Sequence, residues 1–265
     1  MIELKQIHKY FHRGEGHEVH ALRGIDLRIS TGEFVTLIGS NGAGKSTLLN
    51  CLAGTYGVDS GRILLSQRDV TGMPANRRAA WIGRVFQNPL DGSAGNLSIE
   101  QNMALALLRG RPKGLRSGVN AERQQQFRTA LAQLGLGLED RMETRVRLLS
   151  GGQRQALTLL MATLATPQVL LLDEHTAALD PAAAVLVTDL TARLVAEQGL
   201  TALMVTHNMQ QALSLGTRTL MMHQGRVILD LSGAERAGLT VQDLVQRFTR
   251  GRREVVADDE LLLSE

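Results

Sequence analysis

Gly39-Ser40-Asn41-Gly42-Ala43-Gly44-Lys45-Ser46, followed by Thr47, fits the spacing G-x-x-x-x-G-K-[ST]. Its flanks are the ones that this spacing needs. On the amino side a short apolar run from Glu33 to Ile38 reads as a strand, and on the carboxyl side Leu48 to Ala53 continues as a helix. Glycines let the backbone curl until successive N–H groups point at phosphate oxygens. The helix that begins there adds the positive end of its dipole. Lys45 can reach a β- and a γ-phosphate, and Ser46 can place its hydroxyl on Mg²⁺. A chance Gly-rich turn has no reason to carry Lys-Ser between these flanks. The stretch names a ligand, a nucleoside polyphosphate with its metal ion, and leaves the job open.

Outward from it, residues 1–9 and 24–30 alternate apolar and polar side chains and predict strands of a small antiparallel sheet. A polar loop, Arg13 to Glu18, lies between them. Residues 61–66 and Trp81 to Phe86 predict two more strands. From Asn88 to about Leu148 the character changes: segments 98–109 and 120–134 carry helical spacing, and a helical subdomain inserted at 88–148 is expected. Three apolar runs follow, Val169 to Leu172, Leu203 to Val205 and Thr219 to Met222, separated by helical segments 152–165 and 182–198. Strands alternating with helices indicate a parallel sheet covered on both faces. The expected organisation is one α/β domain over 1–248, then a tail, 249–265, that is basic, then acidic, and poorly ordered.

Composition narrows the classes. At 265 residues, 43% apolar and 21% charged, the chain can bury a sizeable core as a globular protein. Aromatics at 3% argue against a base-stacking surface, and a net charge of +3 is too small to point to nucleic acid. The single cysteine, Cys51, fits a reducing compartment and a small packed side chain. No basic region followed by an apolar run opens the chain, so no signal peptide is expected. No stretch reaches the roughly 18 apolar residues that cross a bilayer. Any membrane role must then come through a partner.

Val169-Leu170-Leu171-Leu172-Asp173-Glu174 is an apolar strand that ends in two acids. It matches the second metal-site element of P-loop ATPases: Asp173 would hold the Mg²⁺ shell, and Glu174 would polarise the attacking water as general base, with an ordinary strand followed by a solvated acidic turn the alternative. Leu149-Ser150-Gly151-Gly152-Gln153 precedes the helix Arg154 to Ala165. A serine and two glycines at a helix start make a second anion site, and a plain capped helix start with Ser150 as N-cap is the alternative.

With this pentapeptide the chain resembles the ABC (ATP-binding cassette) ATPases, whose signature it is, over about residues 2 to 230. The resemblance implies a P-loop NTPase fold of the RecA-like kind: a parallel sheet, a small N-terminal antiparallel β-subdomain and an inserted α-helical subdomain. It implies ATP and Mg²⁺ as ligands, and a homodimer in which Ser150, Gly151, Gly152 and Gln153 of one copy cover the γ-phosphate held by the phosphate loop of the other. Gln87, in Val85-Phe86-Gln87-Asn88-Pro89, resembles the Q-loop glutamine that touches Mg²⁺ and the water. Ala178-Leu179-Asp180-Pro181 resembles the D-loop, and His207 resembles the switch histidine at the γ-phosphate. Phe11 sits where the family places an aromatic against adenine, with Tyr10 the competing candidate.

The resemblance also implies a separate integral membrane permease, reached mainly by the helical subdomain, and a place on the cytoplasmic face of the inner membrane. The loop Ser40 to Ala43 and the run Asp173 to Pro181 look most like ATPases of amino-acid-type uptake systems, which add an extracytoplasmic substrate-binding protein. Glu18 to Gly24 also resembles lipoprotein-releasing and macrolide-type exporters. Import is the reading carried forward. Soluble ABC ATPases of translation or repair usually carry two cassettes or long coiled coils, and this sequence has neither.

Some residues depart from the pattern. His175 and Ala177 stand where the family usually has proline and serine, and Ala156 to Ala162 is less basic than in many relatives. His175 is expected to fill a loop position, with a hydrogen bond near the site the alternative. His8, His12, His17 and His20, with Glu15 and Glu18, lack a zinc spacing and read as a solvated surface loop. Arg109, Arg111, Lys113 and Arg116 read as a solvated basic loop, with contact to anionic headgroups the alternative.

Overall fold

The computed structural model describes residues 1–12, 14, 16–110 and 118–262, with side chains described to residue 251. The elements run β1 (Ile2–Phe11), β2 (Val19–Ile29), β3 (Phe34–Gly39), α1 (Lys45–Ala53), β4 (Ser60–Leu65), β5 (Arg68–Asp69), α2 (Ala75–Arg78) and β6 (Ile82–Val85). Then come α3 (Ile99–Leu107), α4 (Ala121–Ala132), α5 (Gly151–Thr163), β7 (Val169–Asp173), α6 (Pro181–Glu197) and β8 (Thr201–Val205). The chain closes with α7 (Met209–Ser214), β9 (Arg218–His223), β10 (Arg226–Ser232), α8 (Gly233–Arg236) and α9 (Val241–Leu262). Two compact units divide these elements: Met1–Pro74 with Thr201–Glu265, and Ala75–Leu200.

The first unit holds an antiparallel sheet in the order β2-β1-β4-β5. Ile2 lies opposite Ile29 and Leu4 opposite Leu27, so alternate residues bury one face, as the period of two requires. The unit's other strands centre on β3, which pairs in parallel with both β8 and β9, while β10 adds antiparallel to β9. Phe34 to Ile38 are all buried, which is what a strand covered on both faces demands. Within that run Thr36 is polar but satisfied. Its hydroxyl is 3.0 Å from the Ala212 carbonyl and 3.0 Å from Thr219 Oγ1.

Several elements of this unit differ from expectation. β5, β10, α7 and α8 were not foreseen. The last helix runs through Thr249, where the ordered part was expected to end, on to Leu262. Leu244 is fully buried with Ile38, Met221 and Leu231, and Phe248 packs against the same cluster. These two residues are one helical turn apart, so α9 has an apolar face to dock.

In the second unit β6 and β7 pair in parallel, Ile82 to Val85 alongside Val169 to Leu172. The expected helical segment 88–148 lies inside this unit and carries α3 and α4. Ser98 caps α3 through a full capping box with Gln101, and Asn120 caps α4. Phe127 and Leu131, four apart on α4, supply its buried stripe. Asn102 ties down the approach to α3: its amide accepts from Ala94 N at 2.7 Å and donates to Ser98 O at 2.9 Å.

Candidate functional site

In the first unit the phosphate loop leaves the carboxyl end of β3. Two glycines there have backbones that L side chains resist, Gly39 at φ 153 and Gly44 at φ 99. A Cβ on Gly39 would run into the Met222 carbonyl, and one on Gly44 would lie 2.6 Å from the Ala21 carbonyl. Gly44 is also the N-cap of α1, with no side chain in the cap, so the helix start is bare backbone. Ala43 N donates to Ser40 O at 3.1 Å, which closes the loop on itself. Lys45 is almost wholly buried, and its Nζ donates to the carbonyls of Gly39 at 2.8 Å and Ser40 at 3.1 Å. The ammonium is thereby held across the loop. Ser46 and Thr47 follow in the first turn of α1.

His207 lies in the same unit. Leu37 of β3 and Val205 of β8 are register partners. Gly39 and His207 each stand two residues beyond that pair, so loop and histidine leave neighbouring strands at the same end. The turn around His207 is braced on both sides. Thr206 Oγ1 donates to Gln211 Oε1 at 2.8 Å and accepts from Asn208 N at 3.1 Å, while Asn208 caps α7. His207 itself is exposed.

The aromatic candidates lie on β1. Tyr10 stacks on His20, with centroids 4.0 Å apart and planes 15° apart. Phe11 meets Tyr56 edge-on at 5.4 Å. His8 and His20, expected in a loop, sit on paired strands with Nδ1 and Nε2 3.1 Å apart. Among the described residues no group of three or more His, Cys, Asp or Glu is placed to hold a metal; Glu15 lies outside them.

The second unit carries the other candidates. Val85 of β6 and Leu172 of β7 are register partners, so Gln87 and Asp173 also leave adjacent strands at one end. Gln87 is exposed. Asp173 Oδ2 accepts from Arg84 Nη2 at 3.2 Å. Glu174 follows at φ 44, a left-handed backbone that favours glycine, and its carbonyl takes the N–H of Ala177 at 3.0 Å.

Ser150 caps α5 with a complete capping box: Oγ accepts from Gln153 N at 3.2 Å, and Gln153 Oε1 accepts from Ser150 N at 3.2 Å. That bond uses an oxygen lone pair and leaves the hydroxyl proton able to donate. A Cβ on Gly152 would lie 2.7 Å from Ala183 Cβ, so only glycine lets α5 approach α6 this closely. Asp180 caps α6, accepting from Ala183 N at 3.0 Å. The capped-start reading of Ser150 and the anion-site reading are therefore compatible.

His175 is buried, and its Nε2 lies 2.9 Å from Thr191 Oγ1. Thr191 spends its proton on Val187 O at 2.7 Å, so its oxygen accepts from His175 Nε2–H. Burial pushes the imidazole from its ordinary 6.5 to about 4. The unfolded chain takes up this proton first. The stabilisation from the neutral ring is complete above about pH 6.5 and is lost as pH falls toward 4. The loss at pH 5 should be about 2 kcal/mol. Urea unfolding at pH 7.5 and pH 5 should show a steeper fall for the wild type than for His175→Gln. Equal falls would mean that the ring does not titrate this way.

Arg109, expected on a solvated basic loop, instead donates from Nη2 to Ala162 O at 2.8 Å in the last turn of α5, and burial lowers its pKa. Arg111, Lys113 and Arg116 lie outside the described residues. Two side chains beside the candidate site had not been singled out. Arg84 is a charge within the apolar strand 82–85, and that oddity was the available signal. Gln155 is fully buried and donates from Nε2 to Phe86 O at 3.2 Å, for which the sequence offered no signal.

Comparison with known proteins gives a consistent picture. A family model described as ABC transporter matches residues 22–177. The match includes the phosphate loop, Gln87, the Ser150 pentapeptide, Asp173 and Glu174, while Phe11, Asp180 and His207 lie beyond it. A tyrosine transport ATP-binding protein of Clostridioides difficile is 40% identical over 94% of this chain and 98% of its own length. A thiamine import ATP-binding protein of Yersinia pseudotuberculosis is 35% identical over 78% of this chain and 82% of its own. A methionine import ATP-binding protein of Rhizobium johnstonii is 37% identical over 78% of this chain but only 56% of its own length. Among solved structures, an ATP-binding cassette seen as a dimer after hydrolysis, bound to ADP and Pi, superposes with a TM-score of 0.74. It is 30% identical and covers 88% of this chain and 98% of that one.

Proposed function

Because the chain belongs to the ABC transporter family, we propose specific roles for its residues in binding and splitting ATP. The protein is an ATP-binding, ATP-hydrolysing transport subunit of the import type, with a P-loop NTPase fold. The observation that carries the roles is two glycine-rich helix starts in one chain, the loop braced by Lys45 and the capped start of α5 at Ser150, each of which suits a phosphate. One nucleotide needs one such loop. The second cradle is there for the nucleotide of another copy, and each homodimer then holds two ATP.

The donor set suits Mg²⁺, since the Ser46 hydroxyl, the Gln87 amide and the Asp173 carboxylate are all hard oxygens. Bound Mg²⁺ would neutralise charge on the β- and γ-phosphates. Gly39 to Thr47 hold the phosphates through backbone N–H groups and the Lys45 ammonium. Phe11 lies against the adenine. Glu174 takes the proton of the attacking water, and Gln87 and His207 orient water and γ-phosphate. Ser150, Gly151, Gly152 and Gln153 of the second copy close over the γ-phosphate, and Asp180 lies beside that junction.

Among the described residues no helix is long and apolar enough to cross a membrane. Transport therefore needs an integral membrane permease, and import adds an extracytoplasmic binding protein. The subunit works on the cytoplasmic face of the inner membrane, where ATP is. An amino acid is the favoured cargo class, since a relative that is 40% identical and matched over 98% of its own length is named for tyrosine transport. The relatives give no support to the export reading of Glu18 to Gly24.

A tagged chain drawn from native membranes should bring down an integral membrane permease, bound mainly through residues 88–148. Recovery of ribosomes or repair proteins alone would refute this. Lys45→Ala should weaken ATP binding by about tenfold, since one charge-assisted contact to the phosphates is lost. Unchanged affinity in that variant would remove Lys45 from the site.

A further inference from the structure

Asp173 has a positive charge beside it that is already built into the protein. Arg84 on β6 donates from Nη2 to Asp173 Oδ2 at 3.2 Å, with the two side chains only 13% and 14% exposed. The register places Arg84 beside Leu171, two residues before Asp173 on the neighbouring strand. The guanidinium is held from a second side, since its Cζ lies 4.5 Å from the centroid of the Phe86 ring. Phe86 is fixed in turn by the hydrogen bond from the buried Gln155 to its carbonyl. Arginine keeps its charge across the whole working pH range, so the pair does not switch off by titration.

A carboxylate this shielded from water is costly without a partner charge. We propose that Arg84 is a resident counter-ion of Asp173, which stands in for the divalent cation when none is bound and makes the carboxylate a weaker metal ligand. The inference rests on the metal role given to Asp173 above. A divalent ion arriving alone meets a neutralised carboxylate and a fixed like charge beside it. An ion arriving with a nucleotide brings phosphate oxygens and negative charge of its own. The arrangement makes metal binding conditional on the nucleotide, and it lets the ion leave once the polyphosphate has gone. A positioning role alone, in which Arg84 merely orients Asp173 for the metal, has the opposite sign: removing Arg84 would then weaken metal binding.

Mn²⁺ is the probe, with free ion counted by electron paramagnetic resonance on the full chain, with and without ADP. Arg84→Met should bind Mn²⁺ roughly tenfold tighter without ADP, a modest share of what Coulomb's law allows for adjacent charges at an effective dielectric of about 20, and should gain less with ADP, whose phosphates already offset the like charge. Arg84→Lys keeps a charge and should stay within about threefold of the wild type. If Arg84→Met fails to fold by circular dichroism, Arg84→Gln is the neutral variant, with the same expected tightening. A folded neutral variant that binds Mn²⁺ equally or more weakly overturns the counter-ion role. Asp173→Asn separates the two layers, because it should lose Mn²⁺ binding outright. If it binds Mn²⁺ as the wild type does, the metal role of Asp173 is wrong and the inference falls with it.

Discussion

Glu174→Gln is expected to keep ATP bound while turnover falls by roughly 100-fold or more, because the amide cannot take a proton from water. Glutamine keeps the size of the side chain and much of its hydrogen bonding. The backbone at this position is set by the turn in which the Glu174 carbonyl takes the Ala177 N–H, so the substitution need not move it. With chemistry stopped, the γ-phosphate that in the proposed dimer joins Lys45 and His207 of one copy to Ser150 and Gly152 of the other should stay in place. The variant should therefore elute as a dimer in gel filtration with ATP and Mg²⁺ and as a monomer without them. A monomer at saturating ATP, with turnover unchanged, would show that Glu174 is an ordinary solvated acid at the end of β7.

Ser150→Arg should leave nucleotide binding by the isolated chain intact and lower hydrolysis by the purified complex about 100-fold, within the range for loss of a donor aimed at developing charge. The phosphate loop of the same chain is untouched. What changes is the proposed cover over the γ-phosphate of the other copy. The substitution also removes the N-cap of α5, since Ser150 Oγ accepts from Gln153 N. Ser150→Ala separates these effects. It loses the cap, worth about 1 kcal/mol of stability, but keeps the backbone N–H groups and adds no bulk. Its turnover should fall far less than that of Ser150→Arg. If the arginine variant hydrolyses ATP at the wild-type rate, no second copy shares the site.

The candidate site was legible where its geometry is local. Gly39, Gly44 and Lys45 lie within a few residues of one another, and the capping box of Ser150 and Gln153 closes over three. Strands β3, β7 and β8 were legible because burial on both faces writes an unbroken apolar run. What stayed hidden depends on partners far along the chain. Nothing near Arg84 shows that its charge meets Asp173, 89 residues on. Nothing near Arg109 points to the Ala162 carbonyl, 53 residues away. β10 was missed because its residues are mostly half-buried or exposed and show no clean alternation. In α9 the mixed charges after Thr249 outweighed the apolar face formed by Leu244 and Phe248, although the spacing of four was there to be read.

The left-handed backbone at Glu174 sets stability against catalysis at a single position. A side chain with a Cβ is disfavoured there by about 1–2 kcal/mol relative to the right-handed region. Glycine would relieve most of that strain, less the extra freedom it gives the unfolded chain. A random library of this protein selected on thermal tolerance alone should thus enrich Gly at 174, and with Glu174 as the proposed general base every enriched clone should lose turnover. Selection that demands transport should hold glutamate there in spite of the strain. The same residue would look like a defect to a stability engineer and like a requirement to the cell.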